Sequence, residues 1–341
     1  MKARPEWLGA LALMLASAAH ADDGYRLWLR AAVAAPAATT VAIRGDTATL
    51  RLAAAELSRA LPADLSVTVA TSADAQVAAL RLPFAPLGDE GYLVRPVTLD
   101  GTPTLLVAGN SDRGALYGAF ALLRHLATGG TAANATLTST PKVKLRVLNH
   151  WDNLDGTVER GYAGVSLWDW WTLPDLKDPR YADYARANAS IGINGTVLNN
   201  VNAKADSLTP RYIAKAAALA DVFRPWGIKV YLSARFSAPI ELGGLKTADP
   251  RDRQVAAWWK AKADEIYRAI PDFGGFLVKA NSEGQPGPRD YGASHADGAN
   301  MLAAALRPHG GVVMWRAFVY AETDPEDRAK QAYTEFKPLD G

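Results

Sequence analysis

The chain has 341 residues, 49% hydrophobic and 21% charged, enough apolar material for a sizeable core and enough length for two or three domains. Its 37 Lys and Arg against 35 Asp and Glu leave a formal charge of +2 with no basic block, which argues against nucleic acid or a membrane surface as partner. The absence of cysteine excludes a disulfide framework, a thiolate metal site and a lipid-modified cysteine anchor.

Residues 1–21 read as an export signal. Lys2 and Arg4 precede an apolar stretch from Leu8 to Ala18, and the small-residue site Ala19-His20-Ala21 stands before Asp22-Asp23. The stretch is shorter than the roughly 20 apolar residues that span a bilayer. Cleavage after Ala21 and a periplasmic or secreted protein are the expectation.

Residues 22–140 pattern as an N-terminal α/β domain. Strands are predicted at Tyr25–Arg30, Val41–Ile43, Leu65–Ala70, Tyr92–Val97 and Leu105–Ala108, and helices at Ala48–Leu61 and Asp112–Leu126. Asn110 and Ser111 offer caps for the second helix, and Gly129-Gly130 closes it. Gly109, Gly114 and Gly118 lack the G-x-G-x-x-G spacing of a phosphate loop, so close helix packing explains them better. Nothing in this domain is patterned for catalysis. Thr128–Pro141, rich in Thr, Ala and Gly, reads as the domain boundary.

From 141 to 341 the rhythm becomes strand, loop, helix. The strands are Leu145–Leu148, Gly195–Leu198, Ile228–Leu232, Gly275–Val278 and Gly311–Trp315; the helices are Tyr181–Ser190, Pro210–Phe223, Asp252–Ala269, Ala293–Leu306 and Glu326–Phe336. Repeated βα units with polar strand ends predict a parallel (β/α) barrel, whose loops after the strands carry the site. A closed barrel needs eight strands, so five predict an incomplete (β/α)8 barrel, with an open doubly wound sheet as the alternative. The unpaired edge predicts that this piece aggregates or folds only in its first domain.

The strand ends hold the chemistry. If the chain stays extended after Gly275–Val278, alternation turns Lys279, Asn281 and Glu283 to one side before a Gly/Pro string bends it away. A proton donor beside a cationic anchor suits an acidic substrate. Asn149, Asn153, Asn199, Asn200 and Asn202 also lie at strand ends; singly each reads as a turn cap, together as a floor for sugar hydroxyls. His150 has no second ligand at metal spacing and reads as structural, so no metal and no other cofactor is expected. Trp151 and the Trp168–Trp171 cluster offer flat faces for pyranose rings. Adjacent Trp170 and Trp171 cannot both face one core, so one is expected at a cleft or interface. Arg316 follows the apolar strand that carries Val312 and Met314, and as a buried guanidinium it needs a partner, either Glu283 or a bound anion.

Four segments, Gly161–Trp170, Asp183–Asn202, Lys279–Pro288 and His309–Val319, resemble the α-glucuronidases of glycoside hydrolase family 67, and the likeness extends from about Gly24 to the last residue. The resemblance implies an N-terminal α/β domain, a (β/α)8 barrel and a C-terminal helical domain, with a homodimer possible in the full-length protein. It implies metal-free removal, with inversion, of (4-O-methyl)-glucuronic acid α-1,2-linked to xylo-oligosaccharides. It also assigns roles: Glu283 as general acid, Lys279 and Arg316 as the clamp on the uronate carboxylate, Trp151 and Val201 as a sheath for the 4-O-methyl side. Asn200 and Asn281 are added as substrate-binding candidates.

The family's water-activating carboxylates lie on later strands, so no residue of this chain takes that role and the chain by itself is expected to be inactive. Inversion needs a second, ionised carboxyl roughly 6.5–9.5 Å from the acid. Lys279 should lower the pKa of Glu283, and a bound uronate would offset that. The rival readings are a non-catalytic carbohydrate-binding protein and a hexosaminidase-like barrel. The latter would want an Asp-Glu pair where this chain has Ser282-Glu283.

Overall fold

The computed structural model describes residues 41–61, 65–133, 135–316 and 334–336. The export signal and the strand expected at Tyr25–Arg30 lie outside the described residues, as does the helix expected at Glu326–Phe336 except for its last three residues. Among the described residues no helix is long and apolar enough to cross a membrane.

The first sheet has five strands: β1 (Val41–Ile43), β2 (Val67–Thr71), β3 (Tyr92–Leu99), β4 (Thr102–Gly109) and β5 (Leu137–Ser139), in the order β1-β2-β4-β3-β5. The β1, β2 and β4 strands run parallel, and β3 is antiparallel to β4 and β5. Leu105 and Val107 of β4 join one core with the helices α1 (Ala48–Ser58) and α3 (Asp112–Ala127). Leu106 and Ala108 face the other way, onto Val77 of the short α2 (Ala75–Ala79) and onto Phe84 and Leu87. Both faces are covered, which is why this strand is continuously apolar rather than alternating.

Ser111 caps α3 by accepting from the Gly114 amide at 3.2 Å. Close packing explains the glycines of that helix: a Cβ on Gly114 would sit 2.5 Å from the Gly91 carbonyl oxygen. The boundary expected at Thr128–Pro141 contains β5, which pairs with Tyr92–Val94. Three residues, Leu-Thr-Ser, carry too little pattern to announce a strand.

The second sheet is wholly parallel: β6 (Val147–Asn149), β7 (Gly195–Val197), β8 (Lys229–Ser233), β9 (Gly275–Val278) and β10 (Val312–Trp315), in strict chain order. Crossovers run through α4 (Arg180–Ser190), α5 (Pro210–Phe223), the short α6 (Ala238–Glu241) with α7 (Arg253–Ala269), and α8 (His295–Leu306). Val230, Leu232, Phe276 and Val278 pack in one core with these helices, while Val147, Val197, Tyr231, Leu277 and Met314 form a separate row on the opposite face. With helices on one face and no reversal of strand order, the sheet is a curled half-barrel and not a doubly wound sheet.

Tyr231 fills the half-barrel interior, and only glycine leaves it room: a Cβ on Gly195 would lie 2.6 Å from its ring. The two halves share one continuous apolar core, in which Phe120 stacks on Trp226 at 6.5 Å. At their junction the nearly buried Glu90 carboxylate accepts from Arg113 at 2.7 Å, Arg146 at 2.6 Å and Asn194 at 2.8 Å. Arg186 adds a two-pronged bond to Glu56, at 2.7 and 2.8 Å.

Candidate active site

Past Val278 the inward row continues with Lys279, whose side chain is 0% exposed. The chain then stops being extended. Asn281 (φ 49°), Glu283 (φ 50°) and Gly284 (φ 75°) all adopt the left-handed region, and Ser282 bridges to Gln285. Lys279 and Glu283 therefore meet around a tight turn, not along one face of a strand.

Asn281 corrects the alternation expectation. Its carboxamide oxygen accepts from the Arg289 amide at 3.0 Å, and its nitrogen donates to Asp290 at 2.8 Å, so it closes its own loop. Asparagine tolerates this conformation; glutamate is rarely found in it, and local strain of this kind clusters at functional sites.

Glu283, with its side chain 29% exposed, is held on both oxygens. Lys279 Nζ donates to Oε2 and also to Asn202 Oδ1 at 2.6 Å; Arg160 Nη2 donates to Oε1 at 2.9 Å. The Lys279 hydrogen bond holds the carboxyl below the usual glutamate range. Partial burial works against it, and the fields of Lys279, Arg160 and Arg316 reinforce it. Arg316 contributes that field without a bond: among the described residues its Nη1 is buried and has no hydrogen-bond partner. A desolvated guanidinium nitrogen left unpaired is costly, and Arg113 Nε at the Glu90 junction shares that condition.

Trp151 and Val201 extend the interior row beside Val197, Tyr231 and Leu277 at the mouth of the half-barrel. The asparagines act mainly as struts. Asn200 is buried, donates to Asn153 Oδ1 at 3.0 Å and to the Glu159 carbonyl at 2.9 Å, and accepts from the Asn202 amide at 2.9 Å. Asn199 is spent on Ser233, through both backbone groups and the hydroxyl. Each caps a loop, and the floor of free carboxamides expected for sugar hydroxyls is not formed by these two.

His150 is structural: its Nε2 meets the Tyr184 hydroxyl at 2.7 Å and its ring packs on Trp168. Asp152 anchors the loop after β6 by accepting from Ser166 and from the Leu167 amide, each at 2.7 Å. Burial alone would raise its pKa, but bonds from His150, Ser166 and Leu167 bring it below the ordinary aspartate value. Trp168 and Trp170 are buried while Trp171 is 74% exposed, so one of the adjacent tryptophans does face outward. Among the described residues no group of three or more His, Asp or Glu is placed to hold a metal.

Arg160 escaped the sequence reading. It lies 123 residues from Glu283. The only signal for it is its place immediately before Gly161, where one of the family-like segments begins.

A parallel half-barrel whose strand ends gather one carboxyl among three cations defines a protein of the barrel-glycosidase type. Residues 125–341 match the glycosyl hydrolase family 67 middle domain and residues 50–122 the glycosyl hydrolase family 67 N-terminus; the chain belongs to this family. It is 47% identical over 266 residues to a probable alpha-glucuronidase A of Aspergillus clavatus, covering 76% of this chain and 31% of that relative. It is 39% identical over 361 residues to the Aspergillus oryzae counterpart, covering 96% and 42%. The chain thus spans about a third to two-fifths of the length of these curated relatives. In fold it is similar to a family GH115 4-O-methyl-alpha-glucuronidase, BtGH115A, with a TM-score of 0.50 at 13% identity over 80% of this chain and 39% of that one.

Proposed function

We propose that this chain supplies the acid and uronate-binding half of an α-glucuronidase site acting on glucuronic-acid-substituted xylo-oligosaccharides. The observation that carries the reading is Glu283 clasped by Lys279 beside the unbonded, buried Nη1 of Arg316. The names of the relatives in the family point the same way. Glu283 is the proton donor to the glycosidic oxygen; Lys279 and Arg316 take the uronate carboxylate; Trp151 and Val201 lie against the sugar's apolar edge. Asn200 supports the site through the Glu159 loop, and Asn281 shapes the turn that presents Glu283.

The structure holds the acid in the wrong state for donation. Lys279 keeps Glu283 ionised, whereas a general acid must arrive protonated. An incoming uronate competes for Lys279 and brings a negative charge, and both effects raise the glutamate's pKa toward donation. The ionised carboxylate that activates water belongs, on the family resemblance, to later barrel strands. The 341-residue chain alone is accordingly expected to bind uronates without cleaving them.

Calorimetry on this chain with glucuronic acid, and with xylobiose as the uncharged control, tests the reading. Glucuronate should bind and xylobiose should not. Lys279→Ala and Arg316→Ala should each weaken glucuronate binding by about 30-fold or more, since each removes one member of a desolvated charge pair. Equal binding of the two sugars, or indifference to both substitutions, would sink the proposal.

A further inference from the structure

Glu283 has two cationic partners of opposite character. Lys279 is fully enclosed and doubly bonded, to Oε2 and to Asn202. Arg160 is 59% exposed, holds Oε1 by one bond of 2.9 Å, and approaches the Glu159 carboxylate at 3.5 Å. A proton destined for a sugar arriving from outside has to sit on the outer oxygen, because the inner one faces a buried ammonium. That outer position is where Arg160 sits, and a guanidinium does not give up its own proton. For Glu283 to act as an acid, Arg160 has to leave.

Resting on the function proposed above, we infer that Arg160 is a displaceable counter-ion: it holds Oε1 until the leaving-group sugar arrives and drives it off that oxygen onto Glu159. The surrounding backbone favours a swing of the side chain over a movement of the loop. Glu159 sits at φ 61° and Gly161 at φ 96°, and the Glu159 carbonyl accepts from Asn153 and Asn200, each at 2.9 Å. The root of Arg160 is thereby pinned while its guanidinium stays free to turn. The charged groups around Glu283 are then Lys279 just past β9, Arg316 just past β10 and Arg160 with Glu159 from the loop after β6. Arg160 is a positioning residue in this scheme, acting through the protonation of its neighbour.

NMR on the 341-residue chain tests this without requiring turnover. The Glu283 carboxyl, assigned by its loss in Glu283→Gln, is titrated in the unmodified chain, Arg160→Met and Arg160→Lys. The Met variant should titrate at higher pH than the unmodified chain, and the Lys variant close to it. The Arg160 Nε–H resonance should move when the glucuronate–xylose disaccharide is added and stay in place with glucuronic acid alone. An unchanged titration in Arg160→Met, or a bound disaccharide that moves the Arg160 resonance no further than bound glucuronic acid does, overturns the inference. If neither ligand perturbs Glu283 while the Arg160→Met shift persists, the proposed function fails and the counter-ion role on the empty site survives.

Discussion

The two sheets use the same left-handed backbone for different ends. In the first, Asp100 (φ 51°) and Gly101 (φ 77°) form the two-residue turn between β3 and β4, a position where Asp-Gly is favoured because both residues need positive φ. In the half-barrel, Glu283 has nearly the same φ, 50°, yet glutamate is poorly suited to it and the turn presents a carboxyl to two cations. Buried charge divides less cleanly: Glu90 at the junction has three donors, yet Arg113 among them keeps a buried Nε with no hydrogen bond, as Arg316 at the candidate site keeps a buried Nη1 with no partner among the described residues. The difference between the two regions lies in the turns: the first is matched to its residues, the second holds a glutamate where glutamate is rare, and strain of that kind clusters at functional sites.

Breaking the Glu90 hub should produce the largest change in stability. Glu90→Ala leaves Arg113 and Arg146 without their shared carboxylate at a largely buried junction, and should cost about 3–5 kcal/mol in urea unfolding. A loss below about 1 kcal/mol would mean that the apolar contact between the halves, Phe120 on Trp226 included, does the joining by itself.

Acid should separate the regions next. Glu90, Asp152 and Glu283 all have folded pKa values below their ordinary values of 4.5, 3.8 and 4.5. For Glu90, burial pulls upward but is outweighed by the bonds from Asn194, Arg113 and Arg146. A depressed carboxyl contributes stability that is fully present above the unfolded pKa and is lost as pH falls through the folded one. Urea midpoints should therefore hold at neutral pH and drop below about pH 4.5. Glu90→Gln should flatten that drop more than Glu283→Gln, because the Glu283 side chain is the more exposed of the two. The reverse order would place the stronger acid-sensitive coupling in the site and not at the junction.

Much of this architecture can be read from the chain, for identifiable reasons. The strands β7 to β10 and the crossover helices α4, α5, α7 and α8 are bounded within one or two residues by their apolar runs, because each helix must cover the outer face of the strands it joins; the four-residue α6 is too short to show a period. Lys279 and Glu283 were visible as a pair, but through an incorrect geometry. Alternation places them on one face, while the structure joins them across a left-handed turn that also carries Asn281 away. Arg160 was hidden because a loop-to-loop ion pair leaves no periodic trace. Asn199 and Asn200 read singly as turn caps and together as a sugar floor, because a free carboxamide and a loop-capping one are the same residue in sequence; their hydrogen bonds fit the first reading.

The smallest effect bears most directly on the contrast between the two turns. Exchanging Asp100 for Gly or for Ala removes the same side chain, so the difference between the variants isolates the backbone, and Gly should be the more stable by about 1 kcal/mol. The same comparison at Glu283 cancels the lost carboxylate and its ion pairs in the same way. If the loop itself enforces the conformation, Glu283→Gly should exceed Glu283→Ala by a similar margin of about 1 kcal/mol in urea midpoints. Should the Ala variant match the Gly variant at 283 and not at 100, the turn relaxes once the carboxyl is gone. The strain would then come from the grip of Lys279 and Arg160 on that carboxyl, and ligand binding, by loosening the grip, would release it.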